Sequence, residues 1–189
     1  MNAYLKGAIA ALLVAGGLYT WYRFNEAKLP VNQSPAEFKT LSQMESEGVP
    51  DFELERMDGT KLRLSDLKGK LLIVNFWASW CDPCVEEFPS MVRLAEKMKG
   101  DLVIVAVSTD EQRADIEPFL KAFSVPDEGF EVVWDSEHKV MEMYGVKKIP
   151  ESFIVGTDFR LARKIVGIEN WDSDNAIAFF HALKAGLAR

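Results

Sequence analysis

The chain has 189 residues, 48% of them hydrophobic and 11% aromatic, enough for one packed domain plus a smaller segment without help from cross-links. Its formal net charge is −7, and the part after Lys28 alone carries 19 basic against 28 acidic side chains. An acidic body repels phosphate backbones and no basic stripe with interleaved aromatics occurs, which excludes nucleic-acid binding; two cysteines are too few for a disulfide scaffold.

Residues 7–22 (GAIAALLVAGGLYTWY) carry no charge and are flanked by Lys6 and Arg23. At 1.5 Å per residue, this run plus its two snorkelling flanks comes close to spanning a bilayer core, with Tyr19, Trp21 and Tyr22 at the level of an interfacial belt. Residues 1–23 therefore read as an uncleaved transmembrane signal anchor. A cleaved signal peptide fits less well, because no small-x-small site comes after the run; a buried soluble helix is the remaining alternative. Flanking charge is nearly balanced and says little about orientation. Signal anchors of this kind export the chain downstream of them, so the expected location is the cell inner membrane, single-pass, with the body on the periplasmic side. Residues 24–48 read as a spacer. Within it Ser34-Pro35-Ala36-Glu37 has a capping-box pattern, followed by Phe38, Leu41 and Met44 at helical spacing, so a short helix is expected that packs or spaces the body from the membrane.

From residue 49 to 189 strands and helices alternate. Residues 52–56 and 61–64 flank Asp58-Gly59, a hairpin signal. Residues 71–78 (LLIVNFWA) form a continuous apolar run, as a central strand buried on both faces requires. A helical period over 83–99 ends at Gly100. A second buried strand comes next at 102–108, then a helix over 111–123, a short strand at 131–134 and a short helix at 136–144. Residues 152–156 and 161–166 form a hairpin, and 173–187 an amphipathic closing helix. The order predicts an α/β sheet with a parallel centre and antiparallel edges.

Cys81 and Cys84 are the two cysteines, and they sit directly after the buried strand, opening a helix. Unpaired N–H groups and partial positive charge at a helix start favour a thiolate over a thiol. Pro83 fits the first turn, where its missing N–H costs nothing. Cys81 is expected to be the exposed nucleophile that attacks a partner's disulfide, and Cys84 the deeper thiol that resolves the mixed disulfide. A structural disulfide over so short a loop adds little, since the entropic gain grows with loop length. Half of a zinc site is disfavoured too: there is no second cysteine pair, and His138 and His181 lack ligand spacing, so both read as surface or packing residues. No metal and no cofactor is expected.

Several runs together resemble one family: Pro50-Asp51-Phe52, Asp58-Gly59, Leu64-Ser65-Asp66-Leu67-Lys68-Gly69-Lys70, Val74 through Cys81, Glu87-Phe88-Pro89, and Tyr144-Gly145-Val146 with Pro150-Glu151-Ser152-Phe153. Over residues 49–189 the chain is similar to the TlpA/ResA/CcmG (DsbE) group of thioredoxin-like, membrane-anchored thiol–disulfide oxidoreductases. The resemblance implies a thioredoxin-like fold, a central mixed sheet flanked by helices. It also implies an extracytoplasmic reductant of protein disulfides, fed by a membrane thiol carrier, with some members serving cytochrome c maturation on apocytochrome c.

By position, Cys81 and Cys84 match the redox pair and Pro150 the proline that lies cis opposite it. The cis bond presents the backbone of Ile149 to an extended substrate. Trp80, Ile149, Pro150 and Glu151 are the expected substrate contacts. Pro89 matches a proline that bends the active-site helix. Glu87 lies three residues beyond Cys84 on the same helical face and matches a carboxylate kept near the cysteines. It is expected to accept the Cys84 proton, the alternative being a solvated surface carboxylate. Asn75 stands where thioredoxins proper have a buried aspartate. Asp82, beside Cys81, disfavours the thiolate and so makes the pair more reducing. An alternative in another class is a copper-handling module for oxidase assembly; against it, no methionine or histidine is arranged in sequence around the pair.

Overall fold

The computed structural model describes Gly16 and residues 39–187. The chain divides into two compact units, Met1–Ala36 and Glu37–Arg189. The expected signal anchor and the Ser34 capping box lie outside the described residues. Among the described residues no helix is long and apolar enough to cross a membrane.

The second unit begins ahead of the expected boundary at 49. Helix α1 (Leu41–Glu47) is capped by Thr40, whose hydroxyl receives the Gln43 N–H while the Gln43 side chain receives the Thr40 N–H. Met44, on its inner face, is fully buried beside Val49, Phe52 and Phe159. Gly48 ends the helix at a φ of +102°, and a Cβ there would meet the Phe159 carbonyl oxygen at 3.0 Å. This helix belongs to the body; burying its apolar face is worth more than leaving it to a spacer.

Strands β1 (Glu53–Arg56) and β2 (Lys61–Arg63) form the expected hairpin, and a 3₁₀ turn (Leu64–Leu67) leads to β3 (Leu71–Trp77). Helix α2 (Asp82–Lys97), β4 (Leu102–Ser108), α3 (Arg113–Ala122), β5 (Phe130–Trp134) and α4 (Lys139–Met143) come next. The hairpin β6 (Glu151–Val155) and β7 (Leu161–Val166) and helix α5 (Asp174–Lys184) complete the unit. Helix α3 starts at Arg113 rather than 111 because Gln112 is extended (φ −126°, ψ 128°).

The sheet order is β2-β1-β5-β4-β3-β6-β7. β3 and β4 pair in parallel, as do β4 and β5; β6 runs antiparallel to β3 and β7 to β6. This is the expected thioredoxin-like mixed sheet with helices on both faces. Alternation along β3 sorts its side chains. Leu71, Ile73 and Trp77 pack with Phe88 of α2 and Phe180 of α5, whereas Leu72, Val74 and Phe76 pack with Met44, Val140 and Tyr144. Asn75 shares the parity of Ile73 and Trp77, so it faces α2.

Candidate active site

The sheet register brings the site together at one edge. Phe76 of β3 lies opposite Glu151 of β6, and Trp77 lies beside Ser108 of β4. The loop after β3, the loop after β4 and the start of β6 therefore converge, at the carboxyl ends of the parallel strands. The chain leaves β3 through a turn in which the Cys81 N–H donates to the Ala78 carbonyl at 3.2 Å. Cys81 is the N-cap of α2, and its Sγ accepts the Cys84 N–H at 3.3 Å. Asp82 and Pro83 fill the first turn, Pro83 costing no hydrogen bond there. A sulfur at an N-cap takes the place of the oxygen that usually receives this N–H, so a thiolate at Cys81 has a ready donor.

Cys81 and Cys84 are joined as a disulfide. Cys84 is 1% exposed and Cys81 only 5%, so the nucleophile expected at the surface is nearly covered in this oxidised form. Both sulfur-bearing side chains border the apolar cluster of Trp77, Ala78 and Phe88. Trp80, Asp82 and Pro83 are the exposed members of the motif, Trp80 at 67%.

Ile149–Pro150 is a cis peptide bond. Of the expected substrate contacts, Trp80 is exposed and Ile149 half-buried; Pro150 and Glu151 are buried. The Glu151 carboxylate is turned onto Lys164 at 2.9 Å, away from solvent. Lys164 also lies over the Phe153 ring. The Gly167 N–H donates to the Pro150 carbonyl at 2.9 Å, placing the exposed Val166 and Ile168 beside it.

Glu87 is 2% exposed, so it is not a solvated surface group. Asn75 Nδ2 donates to its Oε1 at 3.0 Å. Trp171 Nε1 and the Glu169 N–H donate to its Oε2 at 3.2 and 3.3 Å. Asn75 Nδ2 also reaches Ser152 Oγ at 2.9 Å, its register partner on β6. Burial raises the Glu87 carboxyl to a pKa of about 6, against the pull of the donors from Trp171, Glu169 and Asn75. A carboxyl titrating near neutrality, three residues from the resolving cysteine on one helical face, is suited to exchange a proton with it.

Further hydrogen bonds hold the segments around the site. Asp110, fully buried, accepts the Ser79 N–H at 3.0 Å and the Ser79 and Ser108 hydroxyls at 2.6 and 2.7 Å. It thereby holds the loop two residues before Cys81. Trp134 Nε1 donates to the Asp110 carbonyl at 2.7 Å, and His138 Nε2 lies 3.1 Å from the Thr109 carbonyl, a packing role. His181 is exposed. Ser90 Oγ receives the Trp171 N–H at 3.1 Å and so fastens the segment after β7 to α2. Among the described residues no three His, Cys, Asp or Glu side chains converge as metal ligands would.

The model of the AhpC/TSA family matches residues 46–164, which contain Cys81, Cys84, Glu87 and Pro150. The chain belongs to this family. It is 36% identical over 124 residues to the thiol-disulfide oxidoreductase ResA of Bacillus subtilis (strain 168), covering 65% of this chain and 68% of that protein. Identity to ResA of Bacillus cereus (strain ATCC 10987 / NRS 248) is 30% over 171 residues, 88% of this chain and 89% of that one. The crystal structure of the Chlorobium tepidum thiol:disulfide interchange protein DsbE shares the fold with a TM-score of 0.62. Its sequence is 32% identical, over 69% of this chain and 91% of that chain. This AhpC/TSA-family chain is a thiol–disulfide oxidoreductase of the ResA and DsbE type.

Glu87 is legible from helical spacing and resemblance; Asp110, Ser79, Ser152 and Trp171 are not. Asp110 carries one weak signal, an acidic residue two positions beyond a buried strand. Trp171 carries none, since its bond to Glu87 spans 84 positions.

Proposed function

We propose that the chain is a reductant of protein disulfides outside the cytoplasm, held at the inner membrane by residues 1–23. The Cys81 thiolate attacks one sulfur of the substrate disulfide, forming a mixed disulfide and releasing a substrate thiolate that takes up a proton. Cys84 gives its proton to Glu87, and its sulfur attacks Cys81 Sγ. The Cys81–Cys84 disulfide closes and the second substrate thiol leaves. Two electrons pass to the substrate, and a membrane thiol carrier restores the dithiol. Trp80, the Ile149 backbone, Val166 and Ile168 are the surfaces for an extended substrate, and the oxidised Cys-x-x-Cys of an unfolded apocytochrome c is the substrate we favour.

The observation that carries this reading is Cys81 as N-cap of α2, its Sγ receiving the Cys84 N–H at the end of a buried strand. Equilibration of the full chain with glutathione tests the direction. The expected potential lies closer to the roughly −270 mV of thioredoxin than to the roughly −120 mV of strong periplasmic oxidants. A value near the latter overturns the reductant. Trapping tests the substrate: Cys84→Ser should accumulate mixed disulfides through Cys81 with c-type apoproteins, and capture of none removes that substrate class.

A further inference from the structure

Every neighbour that hydrogen-bonds the Glu87 carboxylate in this structure is a donor. Trp171 Nε1–H and the Glu169 main-chain N–H hold Oε2, while Asn75 Nδ2 holds Oε1. That set suits an ionised carboxylate and not a neutral one, whose hydroxyl needs an acceptor. An indole N–H and a main-chain N–H cannot become acceptors. A side-chain amide can, by turning over. Asn75 Oδ1 is buried and has no hydrogen-bond partner among the described residues, so an acceptor is in reserve on the group that faces Oε1.

We propose that Oε1 is the oxygen of Glu87 that takes the Cys84 proton, and that the Asn75 amide turns over as it does, presenting Oδ1 in place of Nδ2. This rests on Glu87 being the proton acceptor. Before transfer Asn75 Nδ2 donates to Glu87 Oε1 and to Ser152 Oγ. After transfer the Glu87 hydroxyl and the Ser152 hydroxyl both donate to Oδ1, which has two lone pairs. Two hydrogen bonds to Glu87 and Ser152 are exchanged for two, so the turnover gives the protonated carboxyl the acceptor that its hydroxyl needs. Trp171 and the Glu169 N–H fix the site of protonation by keeping the proton off Oε2. The charged group whose field reaches this carboxyl is Glu169, which favours the protonated form. Its facing partners on β3 and β6, Asn75 and Ser152, carry no charge. Asn75 is therefore a positioning residue with two settings, where an aspartate would repel the ionised Glu87.

The full-length oxidised protein tests this by ¹⁵N NMR of the Asn75 side-chain amide across pH 4.5 to 8. Its two N–H resonances should titrate together with the Glu87 carboxyl carbon, and the titration should vanish in Glu87→Gln. Amide resonances that stay fixed while the carboxyl titrates overturn the proposal. Two variants separate positioning from packing. Trp171→Phe removes a donor whose bond to Oε2 is stronger when the carboxyl is ionised, so the Glu87 midpoint should rise by about one unit. Asn75→Leu removes a partner of both forms, so its midpoint should move by much less. A rise in Asn75→Leu as large as in Trp171→Phe means that Asn75 only donates, which also overturns the proposal. Failure of the Glu87 reading looks different: Glu87→Gln would leave the pH profile of mixed-disulfide resolution unchanged.

Discussion

Trp171 donates its indole N–H to Oε2 of Glu87 at 3.2 Å, tying the segment after β7 to the redox helix. The bond lies inside the protein, with Trp171 1% and Glu87 2% exposed. It keeps an otherwise costly carboxyl in place without making burial favourable, since the Glu87 pKa still rises to about 6.

That balance has a stability consequence. The folded value of about 6 lies above the ordinary value of 4.5, so the folded state holds its proton more tightly than the unfolded chain. The contribution is fully present below pH 4.5 and is lost as pH rises through 6. A shift of this size corresponds to about 2 kcal/mol. Denaturant unfolding of the oxidised protein at pH 4.5 and 7.5 should show this loss in the wild type, and Glu87→Gln should lose about 2 kcal/mol less over the same interval. An identical pH dependence in both proteins would contradict the buried carboxyl.

Much of this site is readable from the chain alone. The apolar run ending at Trp77 defines the central strand because a strand buried on both faces tolerates no polar alternation, and Asn75 interrupts it at one position only. Cys81 can be placed at a helix start because Pro83 and the helical period after it agree with each other. Helix α1 reads as part of a spacer, since a short amphipathic turn does not reveal what its apolar face meets. Asp110 and Trp171 act through bonds to Ser79 and Glu87 across 31 and 84 positions. Such pairings arise from the register of β3 with its neighbours, which no local pattern encodes.

Asp110 should be the most sensitive polar position outside the redox residues. Asp110→Ala leaves the Ser79 N–H and the Ser79 and Ser108 hydroxyls without their acceptor in a buried place. The expected loss is about 3 kcal/mol in denaturant unfolding. Loosening of the 78–80 turn should also shift the fluorescence of the exposed Trp80 in the oxidised protein. A variant as stable as wild type would mean that water serves Ser79 equally well.

Asp172 makes the opposite pH argument. Arg93 binds it through both carboxylate oxygens at 2.8 and 3.0 Å, and Lys97 approaches at 3.3 Å. These partners hold its carboxyl down at about 2. A depressed value contributes stability above the ordinary value of 3.8, lost as pH falls towards 2. Both cations are half exposed, so screening reduces the effect to about 1 kcal/mol. Asp172→Asn should cost that much at pH 7 in low salt, and less both at pH 2 and in molar salt. Because Asp172 is the neighbour of Trp171 in the chain, the variant should also broaden the Trp171 indole N–H resonance.

Asp82 bears on the direction of electron flow. It is exposed, and it occupies the first position of α2, next to the sulfur that caps the helix. Its negative charge opposes a thiolate at Cys81, while the Cys84 N–H and the helix start favour one. Removing the charge leaves only the favourable contributions, stabilises the reduced pair and makes the protein less reducing. Because solvent screens an exposed carboxylate, Asp82→Asn should raise the potential by only about 10 to 20 mV. Equilibration with glutathione at two ionic strengths checks both size and cause. The difference between variant and wild type should shrink in molar salt if it is electrostatic. A change of the opposite sign would mean that Asp82 acts on the helix start rather than on the sulfur.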